Sequence, residues 1–447
     1  MDQFWRRWRW LSPGLGIKRW LAVFVGGLLL LGAGVGLVAA REVARQWVQR
    51  HLPLPGLGSG WAMVTLGLLA AGAGVQVMGY GVRQLVGSVA RALLPERGQA
   101  LELLYERRQL SRGPRIAVVG GGTGLSTLLR GLKKHTSNLT AVVTVADDGG
   151  SSGRLRTEMG ILPPGDIRQC LVALAATEPL MERLFQYRFQ EGEGLAGHAF
   201  GNLFIAAMTG LTGDFEAAVR ESSKVLAIQG QVLPATLEDV VLGAEMEDGT
   251  VVEGESRIAA HGGRIKRVFL NPPSPQPAEE VLAALQEADL LVLGPGSLFT
   301  SVVPNLLVKG VVEAIRSSRA LKVYVCNVMT QPGETDGYTA ADHVRVIVEH
   351  LGRGVLDWAV VHEGPVSPSL LARYRQQGAY PVVPDLHRIR ELGVRPVAYP
   401  LLSRSDLARH DPDRLASVLL RLLEAERRRN AGFFDLYLSA VWKRLRS

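Results

Sequence analysis

Between Arg115 and Arg156 the chain twice runs an apolar, β-branched stretch straight into a glycine cluster, and that pattern leaves few folds open. RIAVVGGGTGLSTLLRGL reads as a strand, Arg115 to Val119, that turns through Gly120-Gly121-Gly122-Thr123-Gly124 into a helix reaching about Lys134. AVVTVADDGGSSGRLR repeats the arrangement, with Asp147 and Asp148 at the end of a second strand and Ser151, Ser152, Arg154 and Arg156 in and after the loop. Continuous apolar strands that alternate with helices form parallel sheets buried on both faces. Ligands of such sheets sit outside the carboxyl ends of the strands. The expected fold class is therefore α/β, a parallel sheet whose glycine loops form the mouth of a nucleotide site.

The chemistry of that mouth follows from residue types. Glycines permit positive φ and let a phosphate approach bare N–H groups at the positive end of a helix; the plainer reading is a tight strand-to-helix turn. No GxxxxGK[ST] occurs, which excludes a P-loop, and Gly122-x-Gly124 leads on to Thr127 where a dinucleotide fingerprint has Gly or Ala. A dinucleotide fold stays open, because Asp147 stands where a ribose-binding acid would. Adjacent residues of an extended chain point opposite ways, so one of Asp147 and Asp148 can face a ligand while the other holds the loop. Their hard oxygens suit magnesium, and Arg154 and Arg156 are placed to cover phosphate charge; an Asx-type turn beside surface arginines is the rival account.

Further polar loops follow apolar runs. PPGDIRQ offers Asp166 as a helix N-cap or a ligand group, and GHAFGN sets His198 and Asn202 four apart, on one face if a helix has begun there. GPGSLFTSVVPN supplies Gly294, Gly296, Ser297 and Asn305, and NVMTQPGETDGYTAADH supplies Asn327 and Thr330. A hairpin is expected around Asp248-Gly249. Strands are expected at 265–270, 289–293, 322–326, 357–361 and 380–383, with helices at 278–286, 369–377 and 411–428.

The first 112 residues are of another kind. Leu21 to Ala40 carries no charge and Trp61 to Val82 only Gln76 as a strongly polar residue, each enough to cross a bilayer as a helix. Trp5, Trp8, Trp10, Trp20, Trp47 and Trp61 cluster at the span ends. Five Arg/Lys precede the first span and Arg83, Arg91 and Arg97 follow the second, against Arg41, Arg45 and Arg50 between them, which places both termini and the globular part in the cytoplasm. A signal peptide ending near Ala40 is the rival, set against a run too long for one and a second span behind it. Glycines 32, 34, 36, 67, 72 and 74 either bring the helices close or are ordinary membrane-helix glycines. A helix-prone connector, Ala90 to Arg112, closes at Gly113-Pro114, and the aromatic, basic tail from Phe433 to Arg446 either docks on its own domain or lies on the membrane. The formal charge of +8 is located in this part: residues 1–112 hold 14 Lys/Arg and 5 Asp/Glu, or +9, which leaves −1 for 113–447. The globular part is not basic, and nucleic acid is not expected as a partner. Cys170 and Cys326 lie in apolar runs without metal spacing and read as buried thiols.

Taken together, GGGTGLSTLLRGL, TVADDGGSSGRLR, PPGDIRQCLVALA, GNLFIAAMT, GPGSLFTSVVPNLL and NVMTQPGETDGY resemble the YvcK-like gluconeogenesis factors, which belong with the CofD 2-phospho-L-lactate transferases. The resemblance covers Arg115 to about His350 and, more loosely, the rest of the globular part; it implies a Rossmann-like, CofD-like domain at 113–447, to which this chain adds the membrane anchor read at 1–112, with spans near 20–40 and 61–82. In the YvcK branch it implies a UDP-sugar ligand such as UDP-N-acetylglucosamine and a role in cell shape, envelope synthesis and gluconeogenic growth. In the transferase branch it implies transfer of a phospholactyl group from a nucleotide diphosphate donor, with Mg2+ on the diphosphate, Asp147 or Asp148 as its acid and catalytic candidate, and the Gly120–Gly124 loop on phosphate. GGSSGRLR after the acids follows the YvcK branch. Homo-oligomers and envelope-synthesis proteins are the protein partners the resemblance allows.

Overall fold

The structure, a computed structural model, describes residues 17–40, 60–93, 108–176, 179–403 and 407–430. The expected aromatic tail, most of the charged connector, and Trp5, Trp8, Trp10 and Trp47 lie outside them. The chain divides into two compact units, Met1–Arg107 and Arg108–Ser447.

In the first unit, helix α1 (Ile17–Ala39) packs along helix α2 (Gly60–Leu93). Within them, Arg19–Ala39 and Val64–Ser88 are long and apolar enough to cross a membrane. Glycine makes the contact close. A Cβ on Gly34 would meet the backbone of Ala71 and Gly67, and one on Gly74 the backbone of Leu31 and Gly27, whereas Gly32, Gly36 and Gly72 face open space. Of the glycines singled out in the sequence, Gly34, Gly67 and Gly74 form the contact.

In the second unit seven parallel strands form one sheet: β1 (Ile116–Gly120), β2 (Leu139–Val143), β3 (Gln231–Pro234), β7 (Leu290–Leu293), β8 (Leu321–Val325), β9 (Trp358–His362) and β10 (Arg395–Tyr399). Their order is β10-β9-β8-β7-β1-β2-β3. Strands β1, β7 and β8 are buried almost throughout, which is why they read as unbroken apolar runs. The missing numbers belong to an excursion between β3 and β7, an antiparallel sheet of β4 (Val241–Met246), β5 (Val251–Glu253) and β6 (Ile265–Asn271). Asp248-Gly249 makes its first turn as expected, with Gly249 at φ +86°. The bent apolar pair Leu298–Leu306 and Val311–Ser317 lies in the core of this unit.

One expected strand needs correction, and one strand of the sheet was not expected. Tyr380–Val383 is not a strand; only an isolated bridge joins Pro381 to Met329, because Pro381 has no N–H to give a ladder. The remaining sheet strand is β10, whose RPVAY is half-buried at the sheet edge and carries no continuous apolar run.

Candidate functional site

Counting outward from β1, the chain first adds β2 and β3 on one side and then β7 to β10 on the other. The order reverses between β1 and β7, where open α/β sheets leave a crevice. Both strands end there in glycine loops. Gly122, at φ +65°, opens helix α3 (Gly122–Leu132), and a Cβ on Gly124 would stand 2.5 Å from the carbonyl oxygen of Pro295. The two loops are thus in backbone contact, which a larger residue would break. Asn327 fixes the second loop by donating to the Gly296 carbonyl at 2.8 Å and accepting its N–H at 3.2 Å. Asn305, buried behind it, donates to the Gly120 and Ser301 carbonyls at 3.3 and 2.7 Å. Thr330 ties its loop to Tyr380, accepting that residue's N–H at 2.9 Å. A cleft of about 230 Å³ opens between the loops, lined by Thr123, Gly124, Gly296, Ser297, Asn327 and Arg409 among others. Arg409 is exposed and makes no ion pair among the described residues.

Carboxylates gather about the first glycine loop. Asp166 lies in the first turn of helix α4 (Gly165–Leu174), but Pro164 is the cap residue and no side chain caps that helix. The expected N-cap role is replaced by a longer reach, in which the Asp166 carboxyl accepts the N–H of Gly122. Burial, with Asp147 nearby, pushes Asp166 from its ordinary 3.8 up to about 7. Asp147 accepts the Gly149 N–H at 2.9 Å and meets Glu255, whose carboxyl burial and the neighbouring Asp147 push upward. Asp148 points elsewhere, accepting the Ser256 N–H at 2.8 Å at the start of the excursion's helix α5 (Glu255–His261). The adjacent acids therefore part: Asp147 joins the acidic cluster, and Asp148 anchors the excursion. Glu334 accepts from Thr300 and Gln331, is raised to about 7 by burial, and has no partner for Oε2 among the described residues.

A third group lies past β2. Ser151 is hydrogen-bonded to His198 Nδ1 and to Asn202 Nδ2, both at 3.0 Å, and Arg168 Nε donates to Asn202 Oδ1 at 2.8 Å. His198 precedes its helix, which starts at Phe200, so it shares no helical face with Asn202; both reach Ser151 nonetheless. Ser152 is buried, Arg154 donates to the Ala196 carbonyl at 2.8 Å, and Arg156 pairs with Asp239. Arg156 also donates to the Val240 carbonyl at 2.8 Å. Cys170 and Cys326 are free and buried.

Sequence reasoning did not single out Glu255, Glu334, Arg168 or Arg409. Glu334 lay inside a quoted motif; Glu255 and Arg409 reach the site only through the excursion and the chain's return before the last helix, Pro412–Asn430, and no local pattern announces them.

The residues suit magnesium in donor chemistry. Among the described residues no three acids or imidazoles form a cage, and magnesium ordinarily takes one or two carboxylates with waters and substrate phosphate oxygens. Asp147, with Asp166 or Glu255, would supply those carboxylates, and a cation there would offset the burial and crowding that raise the Asp166 and Glu255 carboxyls.

A reversed-order parallel sheet with two apposed glycine loops at the switch point is the architecture of a ligand-binding α/β protein. The family pattern described as 2-phospho-L-lactate transferase CofD matches residues 116–402. A gluconeogenesis factor of Bacillus subtilis is 52% identical over 316 residues, covering 70% of this chain and 100% of that one. A Nostoc sp. relative is 49% identical over 425 residues, 92% of each chain, more than Arg108–Ser447 can hold, so that likeness extends into the apolar amino-terminal unit. A crystal structure from Bacillus halodurans matches with a TM-score of 0.67 at 53% identity, covering 69% of this chain and 99% of that one. The chain belongs to the gluconeogenesis factor (YvcK) family, with a CofD-like domain.

Proposed function

We propose that this protein is a membrane-tethered, cytoplasm-facing regulator that binds a nucleotide-sugar of the UDP-N-acetylglucosamine type and acts on cell shape, envelope synthesis and gluconeogenic growth. The observation that carries the reading is the cleft at the switch point. It offers the first-turn N–H groups of helix α3 at Thr123 and Gly124 and the exposed guanidinium of Arg409, which has no ion pair among the described residues, and together these suit a diphosphate. Magnesium held by Asp147 would neutralise the diphosphate next to otherwise repelling acids. Family membership supports the regulatory role, and the two apolar helices with their basic flanks support the tether. Homo-oligomers and envelope-synthesis proteins are its proposed protein partners.

A second reading, a magnesium-dependent phospholactyl transferase, draws on the CofD match and on Asp147 beside Glu255, a carboxyl pair able to hold a proton near a reacting group. Phosphorus NMR of the unit Arg108–Ser447 separates the two. The Bacillus halodurans chain, nearly all of it matched here, shows that such a unit folds alone. UDP-N-acetylglucosamine that broadens on binding and is recovered intact fits the regulator. Release of GMP from a guanosine diphospholactate donor makes the protein a transferase.

A further inference from the structure

The group around His198 has a hydrogen-bond polarity that can be read from one end to the other. Arg168 is a donor only, so its bond to Asn202 makes Oδ1 the acceptor and turns Nδ2 toward Ser151. The Ser151 oxygen thus receives Asn202 Nδ2–H at 3.0 Å and the Ala199 N–H at 3.4 Å. Its own proton has one neighbour left, His198 Nδ1, at 3.0 Å. Nδ1 therefore accepts, and the proton of the neutral ring sits on Nε2. No described residue bonds Nε2, and it is not among the sealed, unpartnered atoms, so in an otherwise buried residue this N–H is the ring group left for a ligand.

The surroundings of the ring are cationic. Arg154 and Arg188 both act on it, donating respectively to the carbonyls of Ala196 and Gly197 on the loop that carries it. Each keeps further N–H groups, and Arg154, Arg168 and Arg188 make no ion pair among the described residues. Glu158 is the acid that faces the same ring. A fixed donor with two guanidinium groups on its own loop matches an oxygen that only accepts and carries negative charge.

We infer that His198, Arg154 and Arg188 form a subsite for an oxyanion, a phosphate or carboxylate group, and that Arg168 is the positioning residue that keeps the His198 proton on Nε2. The subsite rests on reading the carboxyl edge of the sheet as a ligand site. It concerns a different part of that edge from the glycine cleft, beyond β2, and would hold the end of the ligand remote from the diphosphate or a second, anionic ligand.

The test is long-range ¹H–¹⁵N NMR of the histidine rings in Arg108–Ser447, with His198→Gln to assign the signal and no nucleotide present. The inference expects the Nε2–H tautomer for His198. Asn202→Asp, whose carboxylate accepts from both Arg168 and Ser151, should release Nδ1 and mix the tautomers; Ser151→Ala should do the same and serves if the first variant does not fold. Inorganic phosphate and acetate are then titrated separately, and the anion that shifts Nε2 names the group. Arg188→Gln should weaken that binding about tenfold, the loss of roughly one charge-assisted bond. An Nδ1–H tautomer in the native chain, no shift with either anion, or a shift untouched by Arg188→Gln would overturn the inference. Because no nucleotide-sugar is used, these results stand apart from whether one binds the cleft.

Discussion

At the scale of single residues, the site depends on positions where a side chain is either excluded or held against its usual charge. Gly124 is the clearest exclusion, since its absent Cβ is what lets the β1 and β7 loops touch. Gly124→Ala should separate them, lower stability by about 1–3 kcal/mol and weaken ligand binding; a urea midpoint equal to the native one would contradict the contact. Asp166 is the held charge. Its carboxyl titrates near 3.8 unfolded and about 7 folded, so between those values the folded chain keeps a proton that the unfolded chain has released. Stability therefore falls as pH rises through that window. Asp166→Asn should match the native protein near pH 4 and exceed it at pH 8. The linkage ceiling is about 4 kcal/mol, and partial solvent access brings the expected gain to about 1–2 kcal/mol. Denaturation in EDTA at both pH values measures it, and an advantage confined to acid would contradict the assignment.

At the scale of elements, what the sequence made legible was whatever a local pattern encodes. The apolar runs at 116–120, 139–143, 290–293 and 321–325 fixed the buried strands, and the glycines after them fixed the loops at the switch point. Strand β10 was not legible, because an edge strand needs no continuous apolar run, and PVVP at 381–384 imitated one. Glu255 was not legible either, since it meets Asp147 only once the excursion folds back, and neither residue's neighbours record that event. The hairpin was readable in its spans but not in its seam, where only side-by-side helices distinguish Gly34 from Gly32. Gly34→Leu should therefore loosen the α1–α2 pair in detergent, by about 1–3 kcal/mol for the forced overpacking, while Gly32→Leu leaves it unchanged. Disulfide trapping across the pair reads the difference, and equal effects would mean that the seam lies elsewhere.

At the scale of the whole molecule, a unit of two apolar helices and a CofD-like unit are joined in one chain, and the Bacillus relatives show that the second unit occurs without the first. If the tether sets location and not chemistry, Arg108–Ser447 should bind ligand as tightly as the full chain in detergent. Single cysteines placed between the spans should react with an impermeant maleimide from outside the cell, and those in the second unit should not. The central claim concerns the cleft, and calorimetry of Arg108–Ser447 with UDP-N-acetylglucosamine, UDP, GDP and NAD, each with and without magnesium, tests it most directly. The account predicts selective binding of the UDP-sugar, strengthened by magnesium and weakened about tenfold or more in Arg409→Ala, the loss of a charge-assisted contact. Binding of NAD or GDP in preference to the UDP-sugar, or UDP-sugar binding indifferent to Arg409→Ala, would contradict it.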